Sequence, residues 1–189
     1  MLMKYVKVTV TVTIIAIVGV VLFFFLTNRD TKKDTDNDTT KSFKDEILNK
    51  DVENNYPATV REVIILFNNI QKCYYNENIN EDDINKLADM AWLLFDDKLK
   101  ETNPYEKYIS DLKTEITEYK EAKRVIERTV VDKGSDVEYV TIDGIKSASI
   151  EVVYYMKDSH GTGRITETYI LRKNSNDKWK IYSWGIVQS

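Results

Sequence analysis

Residues 145–157 read IKSASIEVVYYMK, and their alternation decides the fold class. One face carries Ala148, Ile150, Val152, Tyr154 and Met156; the other carries Ser147, Ser149, Glu151, Val153 and Tyr155. A period of two, rich in β-branched and aromatic residues, predicts a half-buried strand with the first set on the core side. The same period recurs on both sides, giving further strands at about Val125–Val131, Val137–Ile142, Arg164–Lys173 and Lys178–Val187. Between them lie turn residues: Asp132 to Ser135, Asp143-Gly144, Asp158 to Gly163, and Asn174 to Asp177. Asp-Gly between two alternating runs is a strong two-residue hairpin signal.

Upstream the period changes to that of a helix. Thr59-x-x-Glu62, behind Pro57, forms a capping box, and Val63, Leu66, Phe67, Ile70, Cys73 and Tyr74 then recur on one face. Asn80 caps a second helix, with Glu81, Asp82 and Asp83 in the first turn where acids suit the dipole. Its buried stripe is Ile84, Leu87, Ala88, Ala91, Leu94 and Phe95. Asn103-Pro104 starts a third helix, with the stripe Tyr105, Tyr108, Ile109, Leu112, Ile116 and Tyr119. Helices followed by an antiparallel meander predict an α+β fold, helices packed on one face of a curved sheet.

That order, closing on Trp179-Lys180-Ile181, resembles the nuclear-transport-factor-2-like cone, the superfamily of ketosteroid-isomerase and SnoaL-type proteins. The segments Thr59–Val63, Cys73–Tyr75, Leu94–Leu99 and Tyr139–Gly144 also resemble a family of small, uncharacterised, membrane-anchored bacterial proteins. The resemblance covers residues 57–189 and implies a cone with an interior pocket. Its motifs are structural, and a shared fold does not carry an activity.

The first 33 residues point to a membrane. Met1–Lys7 is a short basic tail with Lys4 and Lys7 and no acid; Val8–Leu26 is uncharged and apolar; Arg29, Lys32 and Lys33 follow. A helix of this length spans about 29 Å, close to the ~30 Å hydrocarbon core of a bilayer. The run is longer than the core of a cleavable signal and ends on Phe-Phe-Phe-Leu without a small-residue cleavage site. Residues 8–26 therefore read as a transmembrane signal anchor in contact with membrane lipid. Two basic residues precede the segment and three follow it, which opposes an external domain. The acid-free leader favours one, and the reading adopted is a single-pass cell-membrane protein with its soluble domain outside the cytoplasm.

Residues 27–56 read as a polar tether, largely too poor in apolar residues to fold alone. Phe43, Ile47 and Leu48 sit within it at helical spacing, either as a short docking helix or as a sticky linker patch. The single cysteine, Cys73, excludes an intramolecular disulfide framework. A net charge of −4 leaves no basic footprint for nucleic acid. Twenty-one lysines against six arginines suggest a low-GC bacterial genome.

Chemistry is sparse. No residue set has metal-ligand spacing, no cofactor motif is present, and His160 in Asp158–Gly163 is accounted for by turn chemistry. Glu167 shares the inward parity of Ile165, Tyr169 and Leu171. It is the one weak candidate for catalysis, as a general base with a desolvated carboxylate. The isomerase-type relatives imply a tyrosine partner, for which Tyr74, Tyr154, Tyr169 and Tyr182 are available. Outside the core, Tyr75 at a helix rim, Tyr155, and Tyr182 with Trp184 opposite Trp179 and Ile181 are expected to form a binding patch. The favoured function is a non-enzymatic interaction module that binds an envelope protein or itself, a layout shared with bitopic parts of type IV secretion machines. The alternatives are a small-ligand carrier or sensor and an isomerase-like enzyme. A deep polar pocket would favour the alternatives; a filled core would favour the first reading.

Overall fold

A computed structural model describes residues 42–187. The basic tail 1–7, the anchor 8–26 and the first part of the tether lie outside the described residues. Among the described residues no helix is long and apolar enough to cross a membrane. The fold is α+β, helices lying against one face of a curved antiparallel sheet.

The folded unit starts earlier than residue 57. Helix α1 (Phe43–Leu48) is capped by Ser42, whose side chain accepts from Asp45 N–H, and it buries Ile47 and Leu48. Val52 is buried behind it, and Lys44 pairs with Asp83 at 3.0 Å. The expected tether 27–56 thus gives up residues from 42 onward, because three apolar side chains suffice to dock them.

Helix α2 (Val60–Asn76) begins with the capping box read from Thr59, and helix α3 (Glu81–Leu94) with the cap read from Asn80, which Asp83 completes into a second capping box. The short α4 (Asp97–Thr102) was not visible in the periodicity; Asp96 caps it by accepting from Lys98 N–H. Asn103 does not cap α5 (Tyr105–Glu121). Its amide donates back to the Leu99 carbonyl and closes α4, and Pro104 stands at the α5 cap with no side-chain bond. Tyr74, Phe67, Ile64 and Ile70 of α2 are core residues.

The sheet comprises β1 (Val125–Val131), β2 (Glu138–Ile142), β3 (Ile145–Asp158), β4 (Gly161–Lys173) and β5 (Trp179–Ile186). Strand β3 is the axis. One edge pairs along its length with β4, while the other takes β2 at residues 145–149 and β1 at residues 152–157. Asp143 and Gly144 have φ of 52° and 77°, the left-handed pair that a type I′ hairpin turn requires. Strand β5 has a bulge: Ile170 pairs Ser183 and Leu171 pairs Ile181, leaving Tyr182 without a counterpart. Side-chain parity therefore inverts after Tyr182.

Asp96 ties the layers together. Its N–H donates to the Ile181 carbonyl at 2.8 Å, while its carboxylate, buried, caps α4 and takes Arg172 of β4 at 2.6 Å. Removing Asp96 leaves the half-buried Arg172 guanidinium without its partner carboxylate. Asp96→Ala is expected to cost about 3 kcal/mol, cap and pair together, measured as a lower urea midpoint at unchanged slope.

Candidate functional site

The inward faces of β3 and β4 meet α2 and α5 in a polar cluster embedded in an apolar core. Glu167 on β4 is 4% exposed, as its parity requires. Its Oε2 lies 2.8 Å from the Tyr169 hydroxyl, which lies 2.7 Å from the Tyr154 hydroxyl on β3. The Tyr154 hydroxyl in turn meets Asn68 Oδ1 at 2.5 Å and Gln71 Oε1 at 3.1 Å on α2. Both tyrosines are in the set named as partners for Glu167. Tyr74 is buried nearby without joining this chain of contacts, and Tyr182 lies on the far face of the sheet under Arg172, 4.0 Å from its ring.

Tyr169 O–H donates to Glu167 Oε2, and Tyr154 O–H has both Asn68 Oδ1 and Gln71 Oε1 as acceptors beside the Tyr169 hydroxyl. Burial pushes the Glu167 carboxyl up to about 7, and the Tyr169 contact only partly restrains it.

A second acid, unmarked in the sequence reading, faces the first. Glu115 of α5 is buried, and burial raises its carboxyl to about 7; the Tyr75 hydroxyl opposes that shift and the Glu167 charge adds to it. Glu115 falls three residues after Leu112 and four before Tyr119, on the apolar stripe of α5. An acid on that stripe was the available signal. Glu115 Oε1, Asn68 Nδ2 and the Tyr74 hydroxyl are buried without a hydrogen-bond partner among the described residues.

The space here is small. A cavity of about 20 Å³ is lined by Tyr119, Ile126 and Glu167, and another of about 30 Å³ by Tyr108, Glu115 and Trp184; Gln71 and Tyr75 border both. Each holds a water or two, against the several hundred Å³ of a small-molecule site. The cluster can hold protons on buried carboxyls, and it has no room for a substrate beside them. Among the described residues no group of His, Cys, Asp and Glu side chains is arranged to hold a metal.

The expected aromatic patch is divided. Tyr155 is on the outer sheet face, 4.1 Å beneath Arg128, and Tyr182 is on the same face. Tyr75 is buried instead of lying at a rim, because Tyr119 of α5 stacks on it at 4.0 Å. Trp184 is on the core side, stacked on Tyr169 at 5.9 Å and 5.7 Å from Phe67, because the Tyr182 bulge reverses its parity.

The two acids make stability run opposite to ordinary acid denaturation. Their folded values near 7 lie above the usual 4.5, so between these limits the folded state holds more protons than the unfolded chain. Stability is then expected to fall as pH rises from about 4.5 to 7, by up to about 3 kcal/mol for each acid. Glu167→Gln removes the charge and keeps an acceptor for Tyr169. It is expected to raise the melting temperature at pH 8, leave it nearly unchanged at pH 5, and flatten the pH profile in thermal unfolding.

The chain belongs to a family whose model, Domain of unknown function (DUF6715), matches residues 1–184. No curated protein matches the sequence.

Proposed function

We propose that this member of the family is a single-pass membrane protein whose folded part acts outside the cytoplasm as an interaction module. The module is a nuclear-transport-factor-2-like cone. The observation that carries the reading is the filled interior: two cavities of about 20 and 30 Å³ where a ligand-binding cone needs an open chamber. A cleft of about 420 Å³ does exist, but it lies outside the space between sheet and helices, beside Val52, Pro57 and Leu66. With the interior between the described helices and strands filled, the domain acts through its surface. The apolar run 8–26 supports the anchor, and the family model, which spans it together with the folded part, supports reading the two as one unit. The order of helices then strands, with α2 and α5 facing a curved sheet, supports the cone.

A second reading, a carrier or sensor for a small polar ligand, draws on the orphaned Asn68 Nδ2, Tyr74 hydroxyl and Glu115 Oε1. It requires the wall of Gln71 and Tyr75 to part. An isomerase-type enzyme using Glu167 requires the same opening and more room still.

In-cell crosslinking of the full chain in its native membrane tests the first reading, with a chain cut after residue 41 as the control. One or two discrete adducts that vanish with the folded part are expected. A profile identical to the control overturns the interaction module and turns attention to ligands that raise the melting temperature of the full chain in detergent.

A further inference from the structure

The sheet has three outer strands, and two have their free edges closed by side chains or backbone from the helical layer. On β1, Asn76 accepts from Ile126 N–H at 2.8 Å and donates to the Ile126 carbonyl at 2.7 Å, mimicking a neighbouring strand. On β5, the Tyr56 hydroxyl donates to the Trp179 carbonyl at 2.7 Å and Asp96 N–H donates to the Ile181 carbonyl at 2.8 Å. Among the described residues strand β2 has no such closure: it pairs with β3, and all five of its residues are exposed, Tyr139, Val140 and Ile142 at 62%, 53% and 52%, with the Tyr139 ring 5.7 Å from that of Trp179.

Which backbone groups are free follows from the hairpin. A two-residue I′ turn makes its flanking residues, Ile142 and Ile145, a hydrogen-bonded pair, so Ile142, Val140 and Glu138 direct their N–H and C=O groups at β3. Tyr139 and Thr141 then direct theirs away from the sheet, two donors and two acceptors placed evenly about Val140. An exposed edge carrying Tyr139, Val140 and Ile142, with no proline or lysine in the strand, is the kind that proteins normally blunt.

We propose that β2 is an assembly edge at which a second copy of this chain adds its own β2, antiparallel, about a two-fold axis through Val140. This rests on the reading of the domain as an interaction module and names its partner. In that register Tyr139 exchanges both hydrogen bonds with Thr141 of the second copy, and Thr141 with its Tyr139, so all four free groups are used. The side chains agree: Glu138 faces Ile142 and Val140 faces itself, and within β2 no acid opposes an acid. The pattern is self-complementary, as an isologous interface must be. Five residues a side bury far less than the ~1,600 Å² of a standard interface. Pairing therefore depends on concentration, which co-anchoring in one membrane supplies.

The two-fold places the two Val140 residues as a non-hydrogen-bonded pair, with Cα atoms about 4.5 Å apart, inside the range a disulfide spans. The test is Val140→Cys in a Cys73→Ala full-length chain, oxidised mildly in membranes. Val130→Cys in the same background, an exposed valine on β1, is the control. Expected is a reducible adduct of twice the chain mass, forming at least tenfold faster from position 140 than from 130. Adding Thr141→Pro removes an outward donor and is tolerated at a free edge; it is expected to keep the melting transition and cut the adduct at least tenfold. Equal rates at 140 and 130 overturn the β2 pairing and leave the interaction module to its own crosslinks, which do not use position 140. An adduct of another mass from the Val140→Cys chain overturns the second copy as partner while supporting the module. Should Cys73→Ala fail to fold, a photo-crosslinking residue at 140 in the otherwise native chain reads the same masses.

Discussion

The β3–β4 ladder, twelve paired residues from Ser147 with Arg172 to Asp158 with Gly161, is the constraint on which the other elements depend. Because side chains alternate, this one register sets what faces the helices: Ile150, Val152 and Tyr154 on one strand, Ile165, Glu167, Tyr169 and Leu171 on the next. A slip of one residue would turn every apolar side chain outward and is excluded by burial alone. A slip of two is a subtler error, since it preserves the alternation and would bury nearly the same area. What separates the two registers is the polar chain from Glu167 through Tyr169 and Tyr154 to Asn68, together with the tight Asp158-to-Gly161 turn. A buried hydrogen-bonded network of this kind specifies position where hydrophobicity cannot.

That role fits the network's energetics. Holding two carboxyls near pH 7 inside the sheet weakens the fold as they ionise, so the network does not maximise stability at neutral pH. Burial raises the Glu167 carboxyl, and the Tyr169 hydroxyl opposes that shift. An acid held inside the core by Tyr169 fits register better than catalysis, which would need it to meet a substrate in the space taken by Gln71 and Tyr75.

Most of the fold was legible because the signals were local. The Thr59 capping box, the Asn80 cap, the Asp-Gly turn and the parity of β3 and β4 depend on residues a few positions apart, and each matches the structure. Most of the failures were cases where distant residues decided the outcome. The Trp184 side chain was assigned by parity along β5, and only pairing with β4 reveals the bulge at Tyr182. Tyr75 lies near the edge of the α2 stripe, and only the arrival of Tyr119 closes over it. Residues 42–56 are polar by composition, and their placement rests on Ile47, Leu48 and Val52 finding the core. Glu115 was legible and missed: it is a lone acid on the apolar stripe of α5.

The three strand edges give the sharpest contrast in the molecule. Asn76, Tyr56 and Asp96 come from different segments, and each contributes one polar group to close β1 or β5. Coincidence is a poor account of such repeated closure, since every one of these contacts orders a side chain or a loop at an entropic cost. Among the described residues the helical layer sends no hydrogen bond to β2, where Val140 and Ile142 remain in solvent and Tyr139 rests beside Trp179. An exposed strand edge invites aggregation in any chain and is retained where pairing has a use. The membrane anchoring proposed above would limit the hazard, because molecules held in one membrane meet in a restricted orientation, whereas free chains can add edge to edge in any register. On this argument the closed edges and the open one express a single constraint: pairing beyond the chain is confined to one five-residue strand whose free groups are symmetric about its central valine.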